Sequence, residues 1–308
     1  MRQKPKQNKK MIDKKIFMLC DKVKEENLNL LNGEYLANRK YDGERVISVI
    51  IDNDILMFNR RGKLVNFHFK EVEQELKKLP NCIIDGEIIS YNNKFEDLQR
   101  RALTQNKFKQ EELLKEIPCY YMIFDILKTE NQDIRDKPLK ERIEILRKIL
   151  EKQGIYKPVD ERKQAEPILI IPPILQLCEY NSITNMLFQA KLENWEGIII
   201  KNMQGKYESR RSKSWLKLKL WNETTLFLTS YTPNNAGFRC EDNLNNAVQV
   251  SGRQSLEVVN KIKDTGFAEV IIQYLTKTEN DRFRFISYRG LAKERNLNEE
   301  MIKYEEMN

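Results

Sequence analysis

A mixed α/β domain followed by a small all-β barrel is the fold this sequence predicts. Between Tyr35 and about Leu220, strand-like runs alternate with amphipathic helical ones. Beyond Leu220, strand candidates follow one another with a single short helix signal. The chain has 308 residues, more than one hydrophobic core usually spans, so two domains are expected. A hydrophobic content of 40% is enough to fold both.

In the first domain, 16–220, strands are expected near 46–51, 55–59, 83–89, 119–126, 196–201 and 214–220, and helices near 69–79, 95–103, 139–153 and 182–193. The helix near 139–153 is the clearest. Asp136 and Pro138 stand at its start, and Leu139, Ile143, Leu146 and Leu150 fall on one face. In the second domain, 221–308, strands are expected at 225–232, 246–251, 268–276 and 282–288, with a helix from Ser255 to Lys263. Residues 1–15 carry Arg2, Lys4, Lys6, Lys9, Lys10, Lys14 and Lys15 with few large apolar groups. Such a segment cannot bury enough surface to offset its ordering, which predicts a flexible basic tail.

Charge narrows the partners. A formal net charge of +8 and a pI near 9.0 attract an extended anion, a nucleic acid or an anionic membrane. No apolar stretch approaches the roughly 18 residues of a spanning helix, and the basic N-terminus lacks the apolar run of a signal peptide. A cytoplasmic protein is expected, and a monomer is the default. Cys20, Cys82, Cys119, Cys178 and Cys240 lie too far apart for a structural zinc site, and neither zinc nor disulfides are indicated. A single histidine, His68, cannot serve as base, acid and ligand together, which removes most triad and imidazole-ligand chemistry from consideration. Its flanking Phe67 and Phe69 suggest only a partly exposed side chain. The chemistry must run on lysines, arginines, carboxylates and bound metal.

Four strings carry that chemistry. Lys40-Tyr41-Asp42-Gly43-Glu44-Arg45 places a nucleophile and an anion clamp on either side of an Asp-Gly turn between strand-like segments. Lysine attacks phosphorus only through its free amine, about 0.1% of an unperturbed lysine at neutral pH, so such a site needs neighbouring cations and desolvation. Gly43 would let the backbone approach a nucleotide closely. Asp85-Gly86-Glu87 sets carboxylates in an apolar stretch, where charge is costly without a partner. Glu196 and Lys201 bracket the β-branched run Gly197-Ile198-Ile199-Ile200. Two such glutamates suit a magnesium ion, which takes oxygen ligands and usually a substrate phosphate too. In Ser214-Trp215-Leu216-Lys217-Leu218-Lys219-Leu220, period-two geometry sends the leucines to one face and Lys217 and Lys219 to the other. Taken singly, each string also reads as a charged turn, a strand end or a solvated face.

Together, in this order, they resemble the motifs of the covalent nucleotidyltransferases, and specifically of ATP-dependent DNA ligases, over about residues 30–295. The resemblance implies an adenylation (nucleotidyltransferase) domain with antiparallel-rich sheets enclosing an ATP cleft, then an oligonucleotide-binding (OB-fold) barrel. It implies that Lys40 forms a lysyl-AMP phosphoramidate and passes it to the 5′-phosphate of nicked duplex DNA, with ATP and Mg2+ or Mn2+. Asn59-Arg60-Arg61-Gly62 resembles the next motif, which makes Arg60 a contact to ribose or to the DNA 5′-phosphate. Glu87 matches the third-motif glutamate, Phe124 the adenine-stacking aromatic, and Glu196 with Lys201 the fourth motif. Lys217 and Lys219 match the fifth, with Arg211 as the arginine just before it. Glu87 and Glu196 are the implied metal ligands; Asn38, Arg45, Arg60, Glu87, Phe124, Lys201, Arg211, Lys217 and Lys219 would bind the nucleotide.

Phe95-Glu96-Asp97-Leu98-Gln99-Arg100-Arg101 and Pro138-Leu139-Lys140-Glu141-Arg142 resemble segments typical of DNA ligases rather than of RNA ligases, the alternative within the superfamily. A non-catalytic nucleic-acid-binding protein on the same scaffold is the alternative outside it. Two positions depart from the pattern. Asn38 stands where the family usually has a glutamate that reads adenine. In Arg289-Gly290-Leu291-Ala292-Lys293-Glu294-Arg295, which resembles a barrel motif ending Arg-x-Asp-Lys, Ala292 replaces the arginine and Glu294-Arg295 the Asp-Lys. Lys293, Arg289 or Arg295 must then orient pyrophosphate, or lysine adenylation is slow.

Overall fold

The computed structural model describes residues 16–31, 33–130, 132–154, 169–170, 175–177, 180–278 and 280–292, with side chains outside 155–184. The expected basic tail, Cys178, and Lys293, Glu294 and Arg295 lie outside these residues. The chain divides into two compact units between Lys219 and Leu220.

The first unit runs β1 (Leu19–Lys22), β2 (Tyr35–Arg39), β3 (Glu44–Ile51), β4 (Asp54–Asn59), α1 (Lys70–Leu76), β5 (Cys82–Ser90), α2 (Phe95–Leu103), α3 (Lys107–Glu116) and β6 (Cys119–Lys128). It continues with α4 (Leu139–Lys152), β7 (Leu169–Ile170), β8 (Leu175–Leu177), α5 (Tyr180–Leu192), β9 (Gly197–Asn202) and β10 (Arg211–Lys219). Two sheets result, ordered β1-β10-β9-β2-β8 and β4-β3-β5-β6-β7. Their described pairings are antiparallel except β1 with β10 and β6 with β7.

Strand alternation gives the second sheet two different faces. Val46, Ile50, Ile84 and Ile88 turn to a core shared with Val72 and Leu76 of α1, Leu98 of α2 and Leu146 and Leu150 of α4. On the other face Arg45 stands opposite Glu87, and Ile47 opposite Asp85. There Ile47 and Leu127 pack with Phe17 and Met18 from the start of the described chain and with Tyr207 and Trp215 beside and on β10. One face of the sheet holds helices; the other faces the first sheet and carries charge.

α4 buries Leu139, Ile143, Leu146 and Leu150, the face its spacing predicts, and starts at Pro138, whose missing N–H costs nothing at a helix end. It also buries Arg142, whose Nε and Nη2 donate to both oxygens of Asp125 at 2.8 Å. Arg101 of α2 is buried likewise, on Glu71 of α1 and the carbonyls of Ile117 and His68. The two segments that resemble DNA-ligase strings thus place their arginines inside the fold, as staples between elements. His68 corrects an expectation: it is buried, not partly exposed, and burial lowers its pKa.

The second unit comprises β11 (Asn222–Leu228), β12 (Ser230–Asn234), β13 (Gly237–Glu241), β14 (Ala247–Val250), α6 (Arg253–Thr265), β15 (Ala268–Tyr274), β16 (Thr276–Lys277), β17 (Phe283–Arg284) and β18 (Ser287–Leu291). Its sheets are β11-β15-β18, β12-β13-β14 and the β16-β17 ribbon. Leu226, Leu228, Val248 and Val250 form one core with Val258 and Ile262 of α6 and Val270 and Ile272 of β15. Among the described residues no strand pairing closes these sheets into a barrel. The strand expected over 225–232 is two, broken at Thr229, whose amide bonds the Glu241 carbonyl at 2.8 Å. The one expected over 282–288 is interrupted at Phe285, in the left-handed region at φ 59°.

Candidate active site

The charged face of the second sheet and the facing strands β2, β9 and β10 line a cavity of about 200 Å3. Lys40 lies just past the end of β2, with its amide bonded to the Gly197 carbonyl at 2.9 Å. Its Nζ donates to Glu196 Oε2, and Lys219 Nζ lies 3.5 Å from the other oxygen, Oε1. One buried carboxylate therefore sits between two lysines, one just past β2 and one at the end of β10. At Gly43 a Cβ would meet the Ile88 carbonyl at 2.3 Å and Glu87 Cγ at 2.8 Å, so the approach of β5 by itself requires a glycine there.

Asn38, Lys40, Arg45, Arg60 and Glu87 all line the cavity, as do Phe124, Lys201, Arg211 and Lys217. Glu196 joins it through Lys40, and Lys219 through Glu196. The fifth-motif strand alternates as expected: Leu216, Leu218 and Leu220 are buried while Lys217 and Lys219 are half-buried. Desolvation lowers the pKa of Lys217, and the nearby Arg211, Lys219 and Lys40 charges push the same way.

Lys201 is 3% exposed. Its Nζ lies 4.1 Å from the ring centroid of Phe124 and 4.2 Å from that of Trp215. Burial lowers its pKa to about 8, against the opposing pull of Asp125 and Asp85. Among the described residues its ammonium has no hydrogen-bond or ion-pair partner, and it opens on the cavity. A buried cation without an anion is costly and marks a place for one.

Arg45 reaches the cleft with most of its donors committed. Nε and Nη2 donate to Asp85 at 3.1 and 2.6 Å, and Nη1 to the Met18 carbonyl at 2.6 Å. Tyr207 donates its hydroxyl to Asp85 at 2.7 Å and accepts the Met18 amide at 3.1 Å. The start of the described chain is thereby fastened to the cleft, where Leu19 and Cys20 form part of the wall.

Glu87 is different. Burial pushes its carboxyl up to about 7, partly offset by Lys40 and Arg45. It has no hydrogen-bond or ion-pair partner among the described residues. No group of three or more His, Cys, Asp or Glu side chains converges on a metal site among those residues. The donor set on offer is one unpartnered carboxylate with Glu196 nearby. That fits magnesium, which is bound by one or two carboxylates and completed by water and substrate phosphate.

Trp215, Tyr207 and Asp85 shape the cleft, and reading motifs alone missed their part in it. The signal for Trp215 was present, since period two puts it on the face of Lys217 and Lys219. For Tyr207 there was none, because its partners Met18 and Asp85 are distant in sequence.

A lysine amine in a cleft with desolvated cations, an aromatic ring and an unpartnered carboxylate is chemically suited to an anionic ligand such as a nucleotide. The sequence profile described as "ATP dependent DNA ligase domain" matches residues 17–219, and the chain belongs to that family. ATP use goes with the family. DNA ligase 2 of Thermofilum pendens is 26% identical over 223 residues, 69% of this chain and 35% of that protein. A DNA ligase of Saccharolobus islandicus is 30% identical over 214 residues, 66% of this chain and 33% of that protein. The bifunctional non-homologous end joining protein LigD of Bacillus subtilis is 25% identical over 265 residues, 82% of this chain and 42% of that protein. The chain thus spans 33–42% of the length of these relatives. In fold it is similar to a Lig E DNA ligase at a TM-score of 0.63 with 16% identity, covering 90% of this chain and 99% of that one. It is also similar to the Chlorella virus DNA ligase-adenylate at 0.51 with 19% identity, covering 91% and 98%. No helix among the described residues is long and apolar enough to cross a membrane.

Proposed function

We propose that this chain is an ATP-dependent DNA ligase that seals 5′-phosphate/3′-hydroxyl nicks in duplex DNA through a lysyl-AMP on Lys40. The observation that carries the proposal is the placement of Lys40 on buried Glu196 in the cavity that also holds Glu87, Phe124, Lys201 and Lys217. The family supplies ATP as the nucleotide; the geometry supports the roles.

Glu196 orients the Lys40 amine and is placed to receive the proton it must lose. The amine attacks the α-phosphorus of ATP, the bond to pyrophosphate breaks, and AMP is held as a phosphoramidate. A 5′-phosphate oxygen of the nick then takes AMP from Lys40, and the 3′-hydroxyl displaces AMP to form the phosphodiester. Phe124 offers a ring for adenine, and Lys201 supplies a charge for the phosphate, strong because it is desolvated. Lys217 and Lys219, with Arg211 and Arg60 at the rim, spread the charge of the transferring group, where most of the catalysis of such reactions lies. Glu87 and Glu196 would hold Mg2+, which neutralises phosphate charge when bound.

The second unit is read as the OB-fold domain. Its two three-stranded antiparallel sheets and α6 share one core, and the fold likeness to Lig E extends over 90% of the chain. Most of the duplex contacts should be to phosphates, in keeping with the net charge of +8, so affinity falls steeply with salt. The protein is read as a cytoplasmic monomer.

Sealing tests the proposal. The purified chain with Mg2+ and ATP should join a labelled nicked DNA duplex and leave an equivalent RNA break largely unjoined. Sealing of RNA alone would move it to the RNA ligases, and sealing of neither, with DNA still bound, would make it a binding protein.

A further inference from the structure

The turn Asn59-Arg60-Arg61-Gly62-Lys63 carries Arg60 to the cavity rim, and Asn59 organises that turn from within. Its backbone amide bonds the Lys63 carbonyl at 2.9 Å and its carbonyl accepts the Gly62 amide at 2.8 Å. Its side-chain Oδ1 accepts the amides of Arg61 and Lys63, each at 3.0 Å. With Oδ1 committed to two N–H groups, the amide orientation is fixed, and Nδ2 must point away and find an acceptor. It finds Glu44 Oε1 at 2.8 Å.

Glu44 stands beside the Asp42-Gly43 turn that follows Lys40. The β3-β4 register pairs Val46 with Asn59, so Glu44, Val46 and Asn59 share one face of the sheet. That is the face opposite the one carrying Arg45 and Glu87. Glu44 is half-buried, and its second oxygen, Oε2, is buried with no hydrogen-bond partner. Burial raises its pKa, against the pull of Asn59 and Arg61. A carboxylate so placed costs stability, and Glu44 is not among the residues that line the cavity. Its contact leads instead to the turn that holds Arg60.

We infer that Glu44 is a positioning residue, which holds Arg60 at the rim of the nucleotide cleft through the hydrogen bond to Asn59. One strand start thus follows the Asp42-Gly43 turn in sequence and holds the turn that brings a cation to the cavity lining. The inference rests on the ligase reading, because Arg60 matters only if the cavity takes a nucleotide or a DNA 5′-phosphate.

The test is a double-mutant cycle on the full chain. AMP uptake from ATP is followed for kcat and KM, and sealing of a nicked duplex for rate, in Glu44→Ala, Arg60→Ala, the double variant and Glu44→Gln. Glu44→Ala should change the same kinetic parameter as Arg60→Ala, by about tenfold, and cost less than about twofold more once Arg60 is gone. Glu44→Gln keeps an acceptor for Asn59 and should stay within about threefold of wild type. Asn59→Asp, which replaces the donor facing Glu44 by an acceptor, should lose the same factor as Glu44→Ala, again with no further loss beside Arg60→Ala. It carries the cycle if Glu44→Ala does not fold. Additive losses in the cycle, or wild-type kinetics for Glu44→Ala, overturn the inference while leaving the ligase reading intact. A wild-type chain that takes up no AMP and seals no nick overturns both.

Discussion

Arg142 with Asp125 and Lys201 beside Phe124 are two buried cations about one strand, β6, and the fold treats them oppositely. Arg142 and Asp125 are both fully buried and meet through two hydrogen bonds, and Arg142 also donates to the carbonyls of Lys137 and Gly205. Lys201, on β9, has the Phe124 and Trp215 rings against its ammonium and no hydrogen-bond or ion-pair partner among the described residues. A satisfied buried pair is a structural joint. A buried charge left without its counter-ion is a demand for a ligand, and here the demand points into the cavity of Lys40.

The contrast can be broken at either side. Arg142→Met should have the largest effect on stability, because it leaves Asp125 buried and uncompensated. A loss of about 3–5 kcal/mol is expected, read from urea unfolding. Lys201→Met should do the reverse, holding or raising stability of the ligand-free chain while weakening ATP binding. The sign follows from linkage. The folded pKa of Lys201, about 8, lies below its ordinary value of 10.5, so between these values the unfolded chain binds more protons. Its destabilising contribution is complete below pH 8 and fades as the pH rises through that window. The same loss of charge should lower kcat/KM for AMP uptake above pH 8, and Lys201→Met should be slow with that limb absent. A wild-type profile without the limb would show that the Lys201 charge is not used. Arg100→Ala sets the scale. Its pairs with Asp97 and Glu116 are at the surface, and the urea midpoint should not move measurably.

The sequence made local patterns legible and hid long-range ones. α4 was legible because four leucine and isoleucine positions at helical spacing leave little alternative. The face of β10 was legible from its alternation of leucine and lysine. β1 was missed because four residues, Leu-Cys-Asp-Lys, carry no periodic signal, and the strand exists through its pairing with β10. α3 was missed because its sequence, with Leu113 and Leu114 adjacent among charges, has little amphipathic pattern; its N-cap is Asn106, whose side chain accepts the Lys109 amide at 3.1 Å. In the site, the residue types of the motifs named the lining of the cavity. What they could not show is which charges are spent on the fold. Asp85 takes Arg45 and Tyr207, whereas Glu87, two residues on and pointing to the same face, is left open. That difference is set by Met18 and Tyr207, which no local reading connects.

The most direct measurement of the central claim is the intact mass of the chain after incubation with Mg2+ and ATP, beside Lys40→Ala treated alike. Pyrophosphate treatment beforehand removes any AMP already bound. The account predicts a gain of one AMP in the wild type, mapped to the peptide containing Lys40, and none in the variant. No gain in the wild type, or a gain that persists in Lys40→Ala, would contradict it.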